Sequence, residues 1–213
     1  MELCIIRGGS KTELETKQYN IAVAISLGNK WFTVENIIEL IRWSLRYTRE
    51  EVTVYVADTI HAINIKVRRQ RTSEERALLR ARQQGQKILE NVKKEVEKNF
   101  LPKEQVKIIY ATWDDITDES YKKKVSYLYD VYDSNPEFQS CIKSIIRKWT
   151  SKEKNGFSEK EIERLGTYII EELPELTTRI PIKGKIYDAY VYPFDGEVTQ
   201  LAEKLELNKE NSC

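Results

Sequence analysis

The run Asn20-Ile-Ala-Val-Ala-Ile-Ser26 is apolar almost without a break over the length of a strand. A strand with no polar alternation is buried on both faces, the habit of a parallel sheet. Leu27-Gly28-Asn29-Lys30 turns the chain. Thr33 then stands where a helix N-cap belongs, with Val34, Ile37, Ile38, Ile41 and Leu45 at helical spacing as far as about Arg46. A second β-rich run covers Val52 to Ala57. Strand, helix, strand in this order predicts a βαβ unit with a right-handed crossover.

Further along, the pattern predicts a long helix from Ser73 to about Lys98, ended near Leu101-Pro102, and a strand from Val106 to Ala111. Helices are expected near 118–132, 136–150 and 158–173, the last closed by Pro174. A final strand is expected over Ile186 to Tyr192 and a closing helix over 196–205, with 150–158 as a surface loop. The terminal NKENSC is expected to fray. No repeat or linker interrupts the chain, so residues 1–213 are expected to form a single domain with its core over about 20–205. The fold class is α/β: three layers, Rossmann-like, with a mainly parallel sheet.

Composition narrows the function. No apolar run approaches the roughly 20 residues of a membrane span, and MELCIIRGGSKTE lacks a signal peptide's basic-then-apolar layout. A cytoplasmic, membrane-free, monomeric protein is expected. Cys4, Cys141 and Cys213 are scattered and odd in number, so reduced thiols are the default. One histidine, His61, cannot build a multi-histidine metal site, and no Cys/His cluster has ligand spacing. No glycine-rich phosphate fingerprint is present either. The expectation is therefore no metal and no cofactor. A Ser-His-Asp triad would have to use His61, whose setting in DTIHAINIKV favours a structural role.

Ser26 ends the first strand, and open parallel sheets place ligands beyond the carboxyl ends of their strands. Nearby helix N-terminal amides would favour developing negative charge there. Ala22 and Ala24 would leave space beside the serine, and Tyr190 would take part of it back. SLGN is not GxSxG, because Ala24 lies two before Ser26. A strand-end serine is also a common turn former. Tyr168 and Glu172 are four apart and share a helix face, able to grip an ammonium or relay a proton; a surface pair is the plain alternative. Tyr192, before Pro193, could approach the same crevice.

Net charge is only +1, but from Lys66 to Lys98 eleven Lys/Arg face five Asp/Glu, a local +6. Arg76, Arg80, Lys87, Lys94 and Lys98 fall within an arc of about 40° at about 100° per residue. Ala77, Leu78, Ala81, Ile88, Leu89, Val92 and Val96 gather opposite. Such a ridge, extended upstream by Arg68-Arg69-Gln-Arg71, suits a phosphate backbone, although Glu90, Glu95 and Glu97 fit an ordinary solvated face.

Taken together, IAVAISLGNKWFT, YIIEELP and YVYP, in this order and with the basic helix between the first two, resemble the cyclodipeptide synthases over about Asn20 to Leu205. The resemblance implies a fold like the catalytic domain of class I tyrosyl- and tryptophanyl-tRNA synthetases. No HIGH-like or KMSKS-like motif is present, which implies that amino acids arrive already esterified to tRNA. It further implies two aminoacyl-tRNAs as substrates and Ser26 as the nucleophile that takes the first aminoacyl group. Tyr168 and Glu172 would hold its α-ammonium, Tyr192 would position substrate or relay protons, and Gly28 and Asn29 would line the pocket. The Tyr-Pro branch of the family usually replaces the asparagine. Asn29 with Tyr192-Pro193 is thus mixed, and is assigned to that branch on Tyr-Pro. A noncatalytic RNA-binding module, or an esterase using His61 as base, are the other readings.

Overall fold

A computed structural model describes residues 4–7, 14–16, 19–151, 153, 156–177, 180–187, 189–193 and 196–204. In chain order the elements are β1 (Cys4–Arg7), β2 (Ile21–Ile25), α1 (Val34–Tyr47), β3 (Val52–Val56), α2 (His61–Arg68) and α3 (Glu74–Asn99). A single turn, α4 (Pro102–Gln105), precedes β4 (Ile108–Thr112) and a 3-10 turn over Trp113–Asp115. Then come α5 (Glu119–Ser134), α6 (Pro136–Thr150), α7 (Glu159–Thr177), β5 (Ile180–Ile182), β6 (Lys185–Tyr187), β7 (Ala189–Tyr192) and α8 (Glu197–Lys204). The frayed terminus expected over 208–213 lies outside the described residues.

Five strands form one sheet in the order β1-β7-β2-β3-β4. All neighbours are parallel except β1, which runs antiparallel to β7. The two-residue period of β2 sorts its side chains. Ile21, Val23 and Ile25 enter one core with α1 and the second half of α3, while Ala22 and Ala24 enter the other with α5, α6 and α7. The result is three layers, with every β2 side chain at most 3 % exposed. Burying each of its large aliphatic side chains is worth about 1.5–3 kcal/mol. Across β2, Ala22 pairs with Tyr190 and Ala24 with Tyr55, so only methyl groups stand between the two tyrosine rings.

The caps follow local chemistry. Thr33 Oγ1 accepts from Asn36 N at 3.3 Å to open α1, and Ser73 Oγ accepts from Arg76 N at 3.2 Å to open α3. Several elements depart from the sequence expectation. The chain over His61–Arg68, for which the pattern set no element, is a helix that buries Ile65 and Val67. The fourth strand starts at Ile108, since Val106 is 79 % exposed at the end of α4. Pro174 does not close α7. The helix runs on to Thr177, with Leu173 and Leu176 on either side of the proline buried in the core. The last strand is divided into β6, paired with β5, and β7, which joins the main sheet.

Small residues let α3 approach the sheet. A Cβ on Gly85 would lie 2.6 Å from Asp58 Cβ and 3.2 Å from Val56 Cγ1. Asp58 itself is buried and accepts from Trp113 N at 3.1 Å, tying the end of β3 to the end of β4. Gly85→Ala gains helix propensity worth about 1 kcal/mol, but the clash is with atoms close to the backbone. A net loss of roughly 1–3 kcal/mol is expected, read as a thermal midpoint several degrees lower. A midpoint at or above the parent's would show that the helix and strand can move apart freely.

Candidate active site

The phase that sends Ala22 and Ala24 toward α7 also sends Ser26 there. The chain runs from β2 outward to β3 and β4 on one side, then returns to β7 on the other. The crevice between the carboxyl ends of β2 and β7 is therefore the topological switch point of the sheet. A cavity of about 750 Å³ opens there, walled by Ser26, Asn29, Tyr168, Glu172, Tyr190 and Tyr192. Ser26 comes from β2, the tyrosines 190 and 192 from β7, and Tyr168 and Glu172 from successive turns of α7.

Tyr168 donates to Glu172 Oε1 at 3.3 Å. The Ser26 hydroxyl lies close to the phenols of both Tyr168 and Tyr192. Burial, with Glu172 close by, pushes both phenols well above the ordinary tyrosine range, and the nearby Ser26 hydroxyl opposes this only partly. Glu172 keeps part of its surface open to the cavity, yet its carboxylate is surrounded by protein. Burial raises its pKa from 4.5 to about 7, against the lowering effect of the Tyr168 bond. Glu175, one turn further on, is 1 % exposed and adds to the negative field felt by Tyr168, Tyr190 and Tyr192. A serine between two phenols, with a half-ionised carboxylate beyond, suits an acyl ester whose donor carries an ammonium.

The turn after β2 fixes Ser26. Gly28 has φ +86°, a left-handed conformation natural to glycine, and a Cβ there would meet His61 Cε1 at 3.0 Å. Asn29 N donates to Ser26 O at 3.4 Å, and Asn29 Oδ1 accepts from Trp31 N at 3.0 Å. The Asn29 side chain also lies close to the Tyr192 phenol, bringing the turn against β7. Tyr190 is 2 % exposed and shows only an edge to the cavity, stacked on Tyr192 at 6.0 Å. Ala22 and Ala24 lie beneath it rather than in its wall, and the space beside them is taken by Tyr55 and Tyr190.

Sequence reasoning missed one wall. His61, Asn64 and Arg68 project from α2 into the cavity. Their spacing of three and four residues is a helical face, visible once the segment is treated as a helix. His61 has its pKa lowered to about 4, first by burial and then by Arg68, and its buried Nδ1 has no hydrogen-bond partner among the described residues. Such an imidazole is a weak base near pH 7, which speaks against the esterase reading.

The basic residues of α3 lie outside the cavity. Arg76, Arg80, Lys87, Lys94 and Lys98 are all exposed, opposite a buried stripe of Ala77, Ala81, Gly85, Leu89, Val92 and Val96; Leu78 and Ile88 are only half-buried. Lys98 is partly committed to Glu95 at 2.6 Å, and Arg80 lies 3.5 Å from Thr72 Oγ1. The first half of α3 packs on α2 through Ala77, Ala81 and Ile65. Among the described residues no group of His, Cys, Asp and Glu could hold a metal ion, and no helix is long and apolar enough to cross a membrane.

Fold and site together define a Rossmann-type α/β protein with a serine at its switch point. The family model for cyclodipeptide synthase matches residues 11–192. The chain belongs to the cyclodipeptide synthase family, enzymes that form peptide bonds from aminoacyl-tRNA. Among curated protein sequences none matches. A cyclodipeptide synthase from Fluoribacter dumoffii superposes with a TM-score of 0.75 at 19 % identity, covering 99 % of this chain and 92 % of that one. The Mycobacterium tuberculosis protein whose structure relates cyclodipeptide synthetases to type I tRNA synthetases gives 0.60 at 15 % identity, covering 81 % and 72 %. The enzyme of Candidatus Glomeribacter gigasporarum, solved bound to Phe-tRNAPhe, gives 0.52 at 17 % identity, covering 76 % and 75 %. At these identities the structures speak for the fold, which is that of the class I synthetase relatives.

Proposed function

We propose that the chain joins two amino acids, each delivered on tRNA, into a cyclic dipeptide through esters on Ser26. The observation that carries this is the Ser26 hydroxyl set between the phenols of Tyr168 and Tyr192, with Glu172 bonded to the first. In the first step Ser26 Oγ attacks the aminoacyl ester. Its proton passes to the departing ribose oxygen, so the tRNA leaves with a free hydroxyl. The substrate is already activated, and positioning matters more than a strong base. Ionised Glu172, with Tyr168, holds the α-ammonium. In the second step Glu172 takes a proton from the ammonium of the Ser26-bound aminoacyl group, whose free amine attacks the ester of a second aminoacyl-tRNA. This gives a dipeptidyl ester still on Ser26, and the second tRNA leaves with a free ribose hydroxyl. The terminal amine then attacks that dipeptidyl ester, closes the six-membered ring and returns the proton to Ser26.

Tyr192 orients the Ser26 hydroxyl, and Asn29 holds both Tyr192 and the turn. That positioning role needs no contact with substrate and accommodates Asn29 beside the Tyr-Pro pair, so we assign the chain to the Tyr-Pro branch. All these groups come from one chain, which supports a site complete in a monomer, working in the cytoplasm where charged tRNA is found. Incubation with one labelled aminoacyl-tRNA, digestion and mass mapping is expected to put a single aminoacyl mass on the peptide carrying Ser26. Free cyclic dipeptide should accumulate on turnover. Product without that adduct, or an adduct on another residue, would sink the serine assignment.

We further assign the exposed α3 cations to the tRNA backbone. Replacing Arg76, Arg80, Lys87 and Lys94 by alanine should weaken tRNA use and flatten its salt dependence, by about 0.9 in the log–log slope per lost phosphate contact. An unchanged slope would remove the ridge from the interface.

A further inference from the structure

A second cavity, of about 760 Å³, lies beside the first and shares Arg68 with it. It is walled by the corner between α2 and α3, which carries Arg69 and Arg71, and by the segment leading into α7, which carries Phe157. The corner is built rather than loose. Lys66 Nζ donates to Thr72 O at 2.6 Å, Thr72 N to Arg69 O at 2.8 Å, and Gln70 Nε2 to Glu161 Oε1 at 2.6 Å. Its acidic groups are already engaged. Glu153 holds Arg68 at 2.5 Å, and Glu161 accepts from Ser158 as well as Gln70, bonds that hold its carboxyl below the usual range. Arg69 and Arg71 are exposed and make no ion pair among the described residues. The Arg68 guanidinium lies 6.0 Å from the centre of the half-buried Phe157 ring.

We propose that this second cavity seats the single-stranded 3′-terminal nucleotides of the incoming aminoacyl-tRNA. Arg69 and Arg71 take their phosphates, and Phe157 with Arg68 over it provides a stacking surface for a base. The proposal rests on the acyl-transfer reading of the first cavity. An ester held at Ser26 must lead its nucleotides out past a neighbouring wall, and Arg68 is the residue common to both spaces. Two unpaired guanidiniums beside an aromatic ring are what a single strand uses, whereas a duplex needs the long straight ridge of α3.

The test compares full aminoacyl-tRNA with an aminoacylated trinucleotide of the tRNA 3′ terminus, following single-turnover transfer to Ser26. Binding of the uncharged trinucleotide is measured separately by calorimetric titration. Arg69→Ala/Arg71→Ala is expected to weaken both substrates and the uncharged trinucleotide about tenfold or more. It should also lower the trinucleotide's salt slope by about 1.4, at about 0.7 per single-strand contact. Arg69→Lys/Arg71→Lys should restore most of the loss. Neutralising the α3 ridge should weaken the tRNA far more than the trinucleotide. A double-alanine variant that binds and uses the trinucleotide as the parent does would overturn the proposal. Trinucleotide binding lost in that variant, with no serine adduct in the parent, would uphold the nucleotide site and overturn the acyl-transfer reading instead.

Discussion

Ser26→Ala is expected to abolish the covalent adduct and to lower cyclic dipeptide formation by roughly 10⁴-fold or more, the scale on which loss of an activated nucleophile acts. The side chain is small and the strand leading to it is fully buried, so the variant should fold as the parent does. Its thermal midpoint checks that directly. The covalent route splits one difficult encounter, between two large tRNAs at one site, into two sequential visits. Without the serine, the only remaining path is direct attack of one bound aminoacyl-tRNA on another. A variant that kept a hundredth of the parent rate without any adduct would establish that direct path and remove the serine from the mechanism.

Glu172→Gln is expected to lower acyl transfer by roughly 10²–10³-fold, because it leaves a desolvated ammonium without its counter-charge, a loss of about 3–4 kcal/mol. The pH profile is the sharper measurement. Burial raises Glu172 to about 7, so in the free enzyme the ionised form appears only as pH rises through that value. The parent's kcat/KM should climb with pH and level off above about 7. In kcat the same limb should move to lower pH, since a bound ammonium favours the carboxylate. The limb should be absent in Glu172→Gln. If it persists there unchanged, another group titrates.

Stability runs the other way. A carboxyl with a folded pKa above its unfolded value of 4.5 binds its proton more tightly when folded. Its contribution is therefore greatest below about 4.5 and declines as pH rises toward 7. Glutamine escapes that decline. Glu172→Gln should melt at a higher temperature than the parent at pH 8, and close to it at pH 4. A lower midpoint at pH 8 would mean that Glu172 has a buried cationic partner already.

Much of this arrangement was legible along the chain. The apolar run before Ser26, the capped helix after it and the strand at Val52 follow from periodicity alone, because a βαβ unit is local and its patterns are strong. The four-residue step from Tyr168 to Glu172 is likewise local, as is the α3 stripe. The helix at His61–Arg68 was not, since Ile60, Ile63, Ile65 and Val67 look like strand residues until their packing is known, Ile65 against α3 and the others against the core that α5, α6 and α7 share. Pro174 misleads for the same reason: packing of Leu173 and Leu176 outweighs a missing N–H.

What the sequence determined by itself is the set of chemical groups: one serine at a strand end, a single histidine, a tyrosine–glutamate pair and a cationic ridge. What only the tertiary structure decided is their meeting. The space beside Ala22 and Ala24 is filled by tyrosines, so the cavity opens above them instead. Glu172 comes close to half-ionised near neutral pH because burial, which no local pattern encodes, sets its pKa. Ser26 faces Tyr168 and Tyr192 because β7, the last strand in sequence, inserts beside β2 in space. That pairing depends on sheet order, a long-range property that hydrophobic periodicity leaves open.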